Sequence, residues 1–153
     1  MFGVNFRMDK FNILNKDDNL KDSQTKKHNK PELHSPAQLA FAGDAVYEML
    51  VRAYIVKNFD YNVNVMHKEA IKFVKAASQA KLIKELDPIL TEDERKIVKR
   101  GRNAKITSAP KNQEMIDYRY ATGFESLFGY LYLKNEEERI LYLFDEILKI
   151  IYK

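Results

Sequence analysis

The sequence predicts an all-α fold on three observations. Helix-start signatures of the capping-box type stand at Ser35 and Thr91, apolar residues recur at three- and four-residue intervals, and strand-like alternation is nearly absent. Such alternation is confined to Phe2, Val4, Phe6 and Met8, too little for a sheet. At 153 residues the chain is one domain by size, long enough to bury a core without staples.

Residues 15–34, "NKDDNLKDSQTKKHNKPELH", are polar, mixed in charge and nearly without anything to bury. Residues 1–34 are therefore expected to be a flexible extension, in which Met8 offers an alternative start, and the folded domain to be 35–153. At "SPAQ", Ser35 is an N-cap, Pro36 takes the first helical position and Gln38 completes a capping box, predicting a helix to about residue 57. Val65, Ile71, Val74, Ala77, Leu82 and Leu86 recur helically through "VMHKEAIKFVKAASQAKLIKEL", predicting a second helix that Pro88 stops. "TEDE", residues 91–94, starts a third that should fray near Gly101, and "NAKITSAPKNQE" has the chemistry of a loop. A long helix is expected over about 113–134, and a last one from an N-cap at Asn135, with Glu138 three residues on, to the C-terminus. No internal repeat is visible.

There is no cysteine, which excludes disulfides and cysteine-containing zinc sites and suits a reducing interior. His28, His34 and His67 are too scattered for a histidine metal site. No apolar run approaches the roughly 18–20 residues of a membrane span. The first residues carry Arg7, Asp9 and Lys10 where a secretory signal would be unbroken, so a soluble cytoplasmic protein is expected. Lys and Arg number 26 against 22 Asp and Glu, a net charge of +4. This mild excess is unevenly spread: "RKIVKRGRNAK", residues 95–105, holds six basic residues and no acid, whereas "NEEERILYLFDEILK" leans acidic.

Two acids stand out. Between residues 37 and 56 the charged side chains are Asp44, Glu48 and Arg52, at i, i+4 and i+8, on one stripe of an otherwise apolar helix. Glu48 can pair with Arg52, which leaves Asp44 without a local partner. In "YATGFESLFGYLYL", residues 120–133, Glu125 is the single charged side chain, and Ala121, Thr122 and Gly129 keep its surroundings small enough for another helix to approach. If Asp44 and Glu125 meet, one must hold a proton or both must share a cation, and an all-oxygen site favours Mg²⁺ or Mn²⁺. The alternative is that each pairs with a basic side chain such as Arg52 or Arg119 and fixes helix register. Spacing alone does not choose between them.

"LAFAGDAVYEMLVR", "RGRNAK" and "PKNQEMIDYRYATGFESLFGYLYL" together resemble the Mini-III ribonucleases, the short branch of the ribonuclease III family. The resemblance covers residues 36 to about 150, with the three motifs in the family's order. It implies the all-helical ribonuclease III catalytic fold, a homodimer, and Mg²⁺-dependent cutting of both strands of double-stranded RNA to 5′-phosphate and 3′-hydroxyl ends, with Mn²⁺ able to substitute. It implies Asp44 and Glu125 as catalytic metal ligands, and maturation of 23S ribosomal RNA precursor as the task, with a ribosomal protein as a further partner that shapes the substrate. Fuller members of the family have acids where this chain has Ala40 and Thr122, a thinning the Mini-III branch shares. Glu69 is a candidate distant ligand, but beside Lys68 and Lys72 it reads better as a solvated acid.

The double-stranded-RNA-binding domain of the longer relatives is not expected in these 153 residues. RNA contact is accordingly expected from Lys99, Arg100, Arg102, Asn103, Lys105 and Lys111, gripping an A-form helix by its phosphates and 2′-hydroxyls, with Gly101 letting the segment bend. Of the aromatic run Tyr118, Tyr120, Phe124, Phe128, Tyr130 and Tyr132, Tyr118 is placed near the site and the rest in core or dimer packing. Two other classes compete. One is a non-catalytic RNA-binding or ribosome-assembly protein, for which burying both acids would have no purpose; the other is a helical adaptor, which predicts no RNA affinity.

Overall fold

In a computed structural model residues 30–105 and 112–153 are described, and among them every regular element is helical. Ser35 starts α1 (Pro36–Asn58) as its sequence predicts: its hydroxyl accepts from the Gln38 amide, and the Gln38 carboxamide accepts from the Ser35 amide. A 3-10 turn at Pro31–Leu33 precedes it.

The expected second helix is two, α2 (Val63–Val74) and α3 (Ala76–Leu86), broken at Lys75, whose extended backbone (φ −65°, ψ 148°) caps both. Neither proline nor glycine marks the break. Its effect is to re-aim the apolar stripe, so that α2 buries Phe73 while α3 buries Ala80, Leu82, Ile83 and Leu86. Val65, Ile71 and Ala77, expected inside from a continuous periodicity, lie exposed as a result. A 3-10 turn at Asp87–Ile89 containing Pro88 ends α3.

Thr91 and Glu94 form the predicted capping box of α4 (Glu92–Arg102). Glu94 is nearly fully buried and also receives two hydrogen bonds, of 2.8 and 2.9 Å, from the Arg139 guanidinium. Burial pushes its carboxyl upward, but these bonds outweigh it and hold the pKa below the ordinary 4.5. A single acid thus caps α4 and ties it to α6 (Glu137–Ile151).

Asn112 caps α5 (Gln113–Leu133). Asn135 does not cap α6 as expected. It takes a left-handed φ of 60°, its amide donates to the Tyr132 carbonyl and the next amide, of Glu136, to Leu131, which is a Schellman ending of α5. Asparagine tolerates that conformation better than most residues, so the same side chain that suggests an N-cap serves a C-terminus instead.

Helix α5 is the axis of the fold, packed against α1, α3 and α4 and buried on nearly every side from Ala121 to Leu131. Gly43 and Gly129 allow α1 and α5 to touch backbone to backbone: a Cβ on Gly43 would collide with the Glu125 carbonyl, and one on Gly129 with that of Leu39. Gly101 does the same between α4 and Gly123 of α5, so it is a helical contact residue and not the hinge expected from its loop-like neighbours. Below these crossings Tyr47 is fully enclosed, edge-on to Phe124 at 4.6 Å and 5.2 Å from Phe128, with its hydroxyl donated to the Phe73 carbonyl at 3.1 Å. Among the described residues no helix is long and apolar enough to cross a membrane.

Candidate active site

Because the α1–α5 contact runs through Gly43 and the Glu125 backbone, the next residue of α1, Asp44, is carried to the same place as the Glu125 side chain. Both line one cavity of about 430 Å³. Ala37, Ala40 and Phe41 of α1, Ala121, Thr122 and Tyr118 of α5, and Val74, Ala76 and Gln79 at the α2–α3 break form its wall, with Gly101, Ala104 and Lys105 closing one side. Small residues dominate, which leaves room for a substrate between the acids and solvent.

Asp44 is exposed rather than buried in an apolar helix, correcting the expectation from its neighbours. Tyr47, Leu50, Val51, Tyr54 and Ile55 turn inward and put the stripe of Asp44, Glu48 and Arg52 on the opposite edge of α1. Glu48 pairs with Arg52 at 2.8 Å. Partial desolvation raises the Asp44 pKa, and the Glu48 charge one turn away adds to it. Glu125 lies deeper, half-buried, and its pKa rises to about 7, first through burial and then through the Asp44 charge, against a hydrogen bond from Gln79 that favours the ionised form. No ion pair reaches either acid among the described residues, so the pairing with Arg52 or Arg119 that would have made them register pins is not formed.

Gln79 was not singled out by its sequence. It is 1 % exposed, and its Oε1 is a buried acceptor with no hydrogen-bond partner among the described residues. Such an acceptor costs about 1–3 kcal/mol where nothing fills it. The signal was present in "SQAKLIKEL": Gln79 shares its helical stripe with Leu82, Ile83 and Leu86, where a polar side chain has no ordinary reason to be.

Ala40 and Thr122 stand on the cavity wall without acidic groups, and the Thr122 hydroxyl donates to the Tyr118 carbonyl at 3.0 Å. Among the described residues no cluster of three or more His, Cys, Asp or Glu could hold a metal ion. Glu69 is neither a distant ligand nor a solvated acid. It is buried, accepts from the Tyr152 hydroxyl at 2.6 Å and pairs with Lys72 at 2.8 Å, joining α2 to the end of α6.

The basic segment divides. Lys105 lines the cavity, and Lys99 and Asn103 are exposed at the end of α4. The Arg102 guanidinium lies 5.5 Å from the centre of the Tyr120 ring, and the ammonium of Lys84, also unmarked in the sequence, lies 4.3 Å from it. Arg100 differs from its expected phosphate-contacting role: its two terminal nitrogens donate to the carbonyls of Glu32 and His34, both at 2.9 Å, clamping the N-terminal turn to α4. Lys111 lies outside the described residues.

Comparison with known proteins identifies the family of the fold. A family model described as the ribonuclease III domain matches residues 37–136. Mini-ribonuclease 3 of Clostridium tetani is 50 % identical over 118 residues, 76 % of each chain. That of Thermoanaerobacter sp. is 52 % identical over 69 % of this chain and 75 % of its own, and that of Staphylococcus aureus 39 % identical over 85 % and 97 %. A crystal structure of a Fusobacterium nucleatum protein, 32 % identical, superposes with a TM-score of 0.68 over 76 % of this chain and 93 % of that one. A helical fold whose glycine-aspartate motif rests on the glutamate of a central helix, matched over most of its length by these relatives, belongs to the ribonuclease III family, in its Mini-ribonuclease 3 branch.

Proposed function

We propose that this protein is a divalent-cation-dependent endoribonuclease that cuts double-stranded RNA at the α1–α5 cavity, with Asp44 and Glu125 as cation ligands. The observation that carries the reading is the joining, in one small-residue cavity, of two carboxyls that no ion pair reaches among the described residues, beside the glycine crossing of α1 and α5. Cytoplasmic maturation of 23S ribosomal RNA precursor is the task we assign to it, by analogy with the branch.

The donor set suits Mg²⁺, with Mn²⁺ as substitute. Two carboxylates, a neutral buried carbonyl oxygen in Gln79 and, among the described residues, no sulfur or imidazole on the wall match a hard cation that keeps part of its water and takes further oxygens from a phosphate. When bound, it supplies Lewis-acid polarisation of the scissile phosphate and lowers the pKa of water at the site. The residues do the rest. Two acids whose pKa values are both raised mark a place where positive charge is needed, and Glu125 gives up its proton near neutral pH, when a cation can replace it. Lys105, at the rim, offers its ammonium to the phosphate backbone, and Lys99, Arg102, Asn103 and Lys84 extend that surface. Arg100 spends two of its five N–H donors on the N-terminal turn, which fixes its guanidinium beside that turn.

A homodimer is part of the same proposal. Phe41 and Tyr118, both on the cavity wall, are 86 % and 53 % exposed, an aromatic surface that a second copy of the chain would cover.

The test is digestion of a long double-stranded RNA and of a 23S precursor stem, with Mg²⁺ and with EDTA. Cutting in Mg²⁺ alone, to ends that a ligase requiring 5′-phosphate can join, is the expected result. Salt-sensitive binding with no cutting of either RNA would replace the proposal by the non-catalytic RNA-binding reading.

A further inference from the structure

The Gln79 side chain is enclosed, yet it does not complete its own hydrogen bonding. It reaches the site from α3, a different helix from those bearing Asp44 and Glu125, and lines the same cavity. Its bond to Glu125 fixes the orientation of the amide, because only the NH₂ group can donate to a carboxylate. Oε1 is then turned to the other side, where no protein donor among the described residues meets it. A purely structural residue at this place would be apolar, like Leu82 and Ile83 on the same stripe.

We propose that Gln79 is a positioning residue of the cation site: Nε2 holds the Glu125 carboxylate in its ligating rotamer, and Oε1 accepts a hydrogen bond from a water of the cation's hydration shell. The inference rests on the proposed cation site. It follows from the count of oxygens: two carboxylates leave most of a six-oxygen shell to water, and such water needs acceptors that keep it oriented. One amide serves both ends of that arrangement, and the break at Lys75 brings the start of α3 to the cavity wall.

The experiment is Mn²⁺ binding to the RNA-free protein, read from the paramagnetic resonance signal of free Mn²⁺, for wild type, Gln79→Met and Asp44→Asn, with thermal unfolding in EDTA alongside. Methionine matches glutamine in length and removes both polar ends. It is expected to weaken Mn²⁺ binding about tenfold, the lower end of what supporting groups contribute, while the metal-free protein melts no lower than wild type. If Gln79→Met binds like wild type while Asp44→Asn does not, the role of Gln79 is overturned and the cation site stands. If wild type and Asp44→Asn bind Mn²⁺ alike, the site itself is overturned and this inference with it.

Discussion

Glu125 carries a measurable signature at the scale of a single residue. Its carboxyl is raised from 4.5 to about 7 by burial and by Asp44, so the metal-free folded protein keeps a proton that the unfolded chain has released. The linkage has a definite sign. The contribution of Glu125 to stability is greatest below about pH 4.5, falls as pH rises to about 7 and stays lower above it. Glu125→Gln removes this slope. In EDTA at pH 8 the variant is expected to be more stable than wild type by about 1–2 kcal/mol, the full shift being discounted for the solvent that still reaches the group, with no advantage at pH 4. Urea unfolding at the two pH values checks this, and equal midpoints at pH 8 would contradict it. The residue scale is also where sequence reading was least complete. Asp44 and Glu125 could be picked out because acids in apolar runs are conspicuous, but whether Asp44 faced inward depended on which side of α1 met α5. Gln79 went unnoticed because a neutral amide among lysines looks ordinary until its burial is seen.

Between elements, two contacts carry much of the architecture, and each yields a prediction. Gly43→Ala would set a methyl group against the Glu125 carbonyl, which can only yield if α1 and α5 move apart. A stability loss of more than about 2 kcal/mol is expected by urea denaturation, together with weakened cleavage, because the same crossing positions both acids. An unchanged midpoint would mean the helices are not in backbone contact. Arg139→Ala strands the buried Glu94 carboxylate and is expected to cost about 3 kcal/mol at pH 7. The depressed Glu94 pKa makes its stabilising contribution full above the unfolded value of 4.5 and lost as pH falls through the folded value, so wild type and variant should converge in acid. Helix starts were readable wherever a capping box completed itself, at Ser35 and Thr91. The break at Lys75 and the Schellman turn at Asn135 were not. The first is imposed by tertiary packing with no local breaker, and the second uses a residue whose side chain suits either end of a helix.

For the whole molecule, the three sequence motifs converge on one end of the α1–α5 crossing: the glycine-aspartate motif on α1, the glutamate on α5 and the basic end of α4 closing the side. The all-α class followed from periodicity and caps together, whereas the meeting of the motifs is a property of helix crossing that periodicity does not encode. The exposed Phe41 extends the same logic beyond one chain. Phe41→Asp is expected to give a monomer by light scattering at micromolar concentration, and an already monomeric wild type would remove the dimer from the account.

The central claim is that Asp44 serves chemistry and not folding. Its most direct test compares wild type with Asp44→Asn on one double-stranded RNA, following cleavage in Mg²⁺ and binding in Ca²⁺. The account predicts a folded variant that binds RNA within a few-fold of wild type and does not cut it. An Asp44→Asn protein that cleaves at the wild-type rate would contradict it.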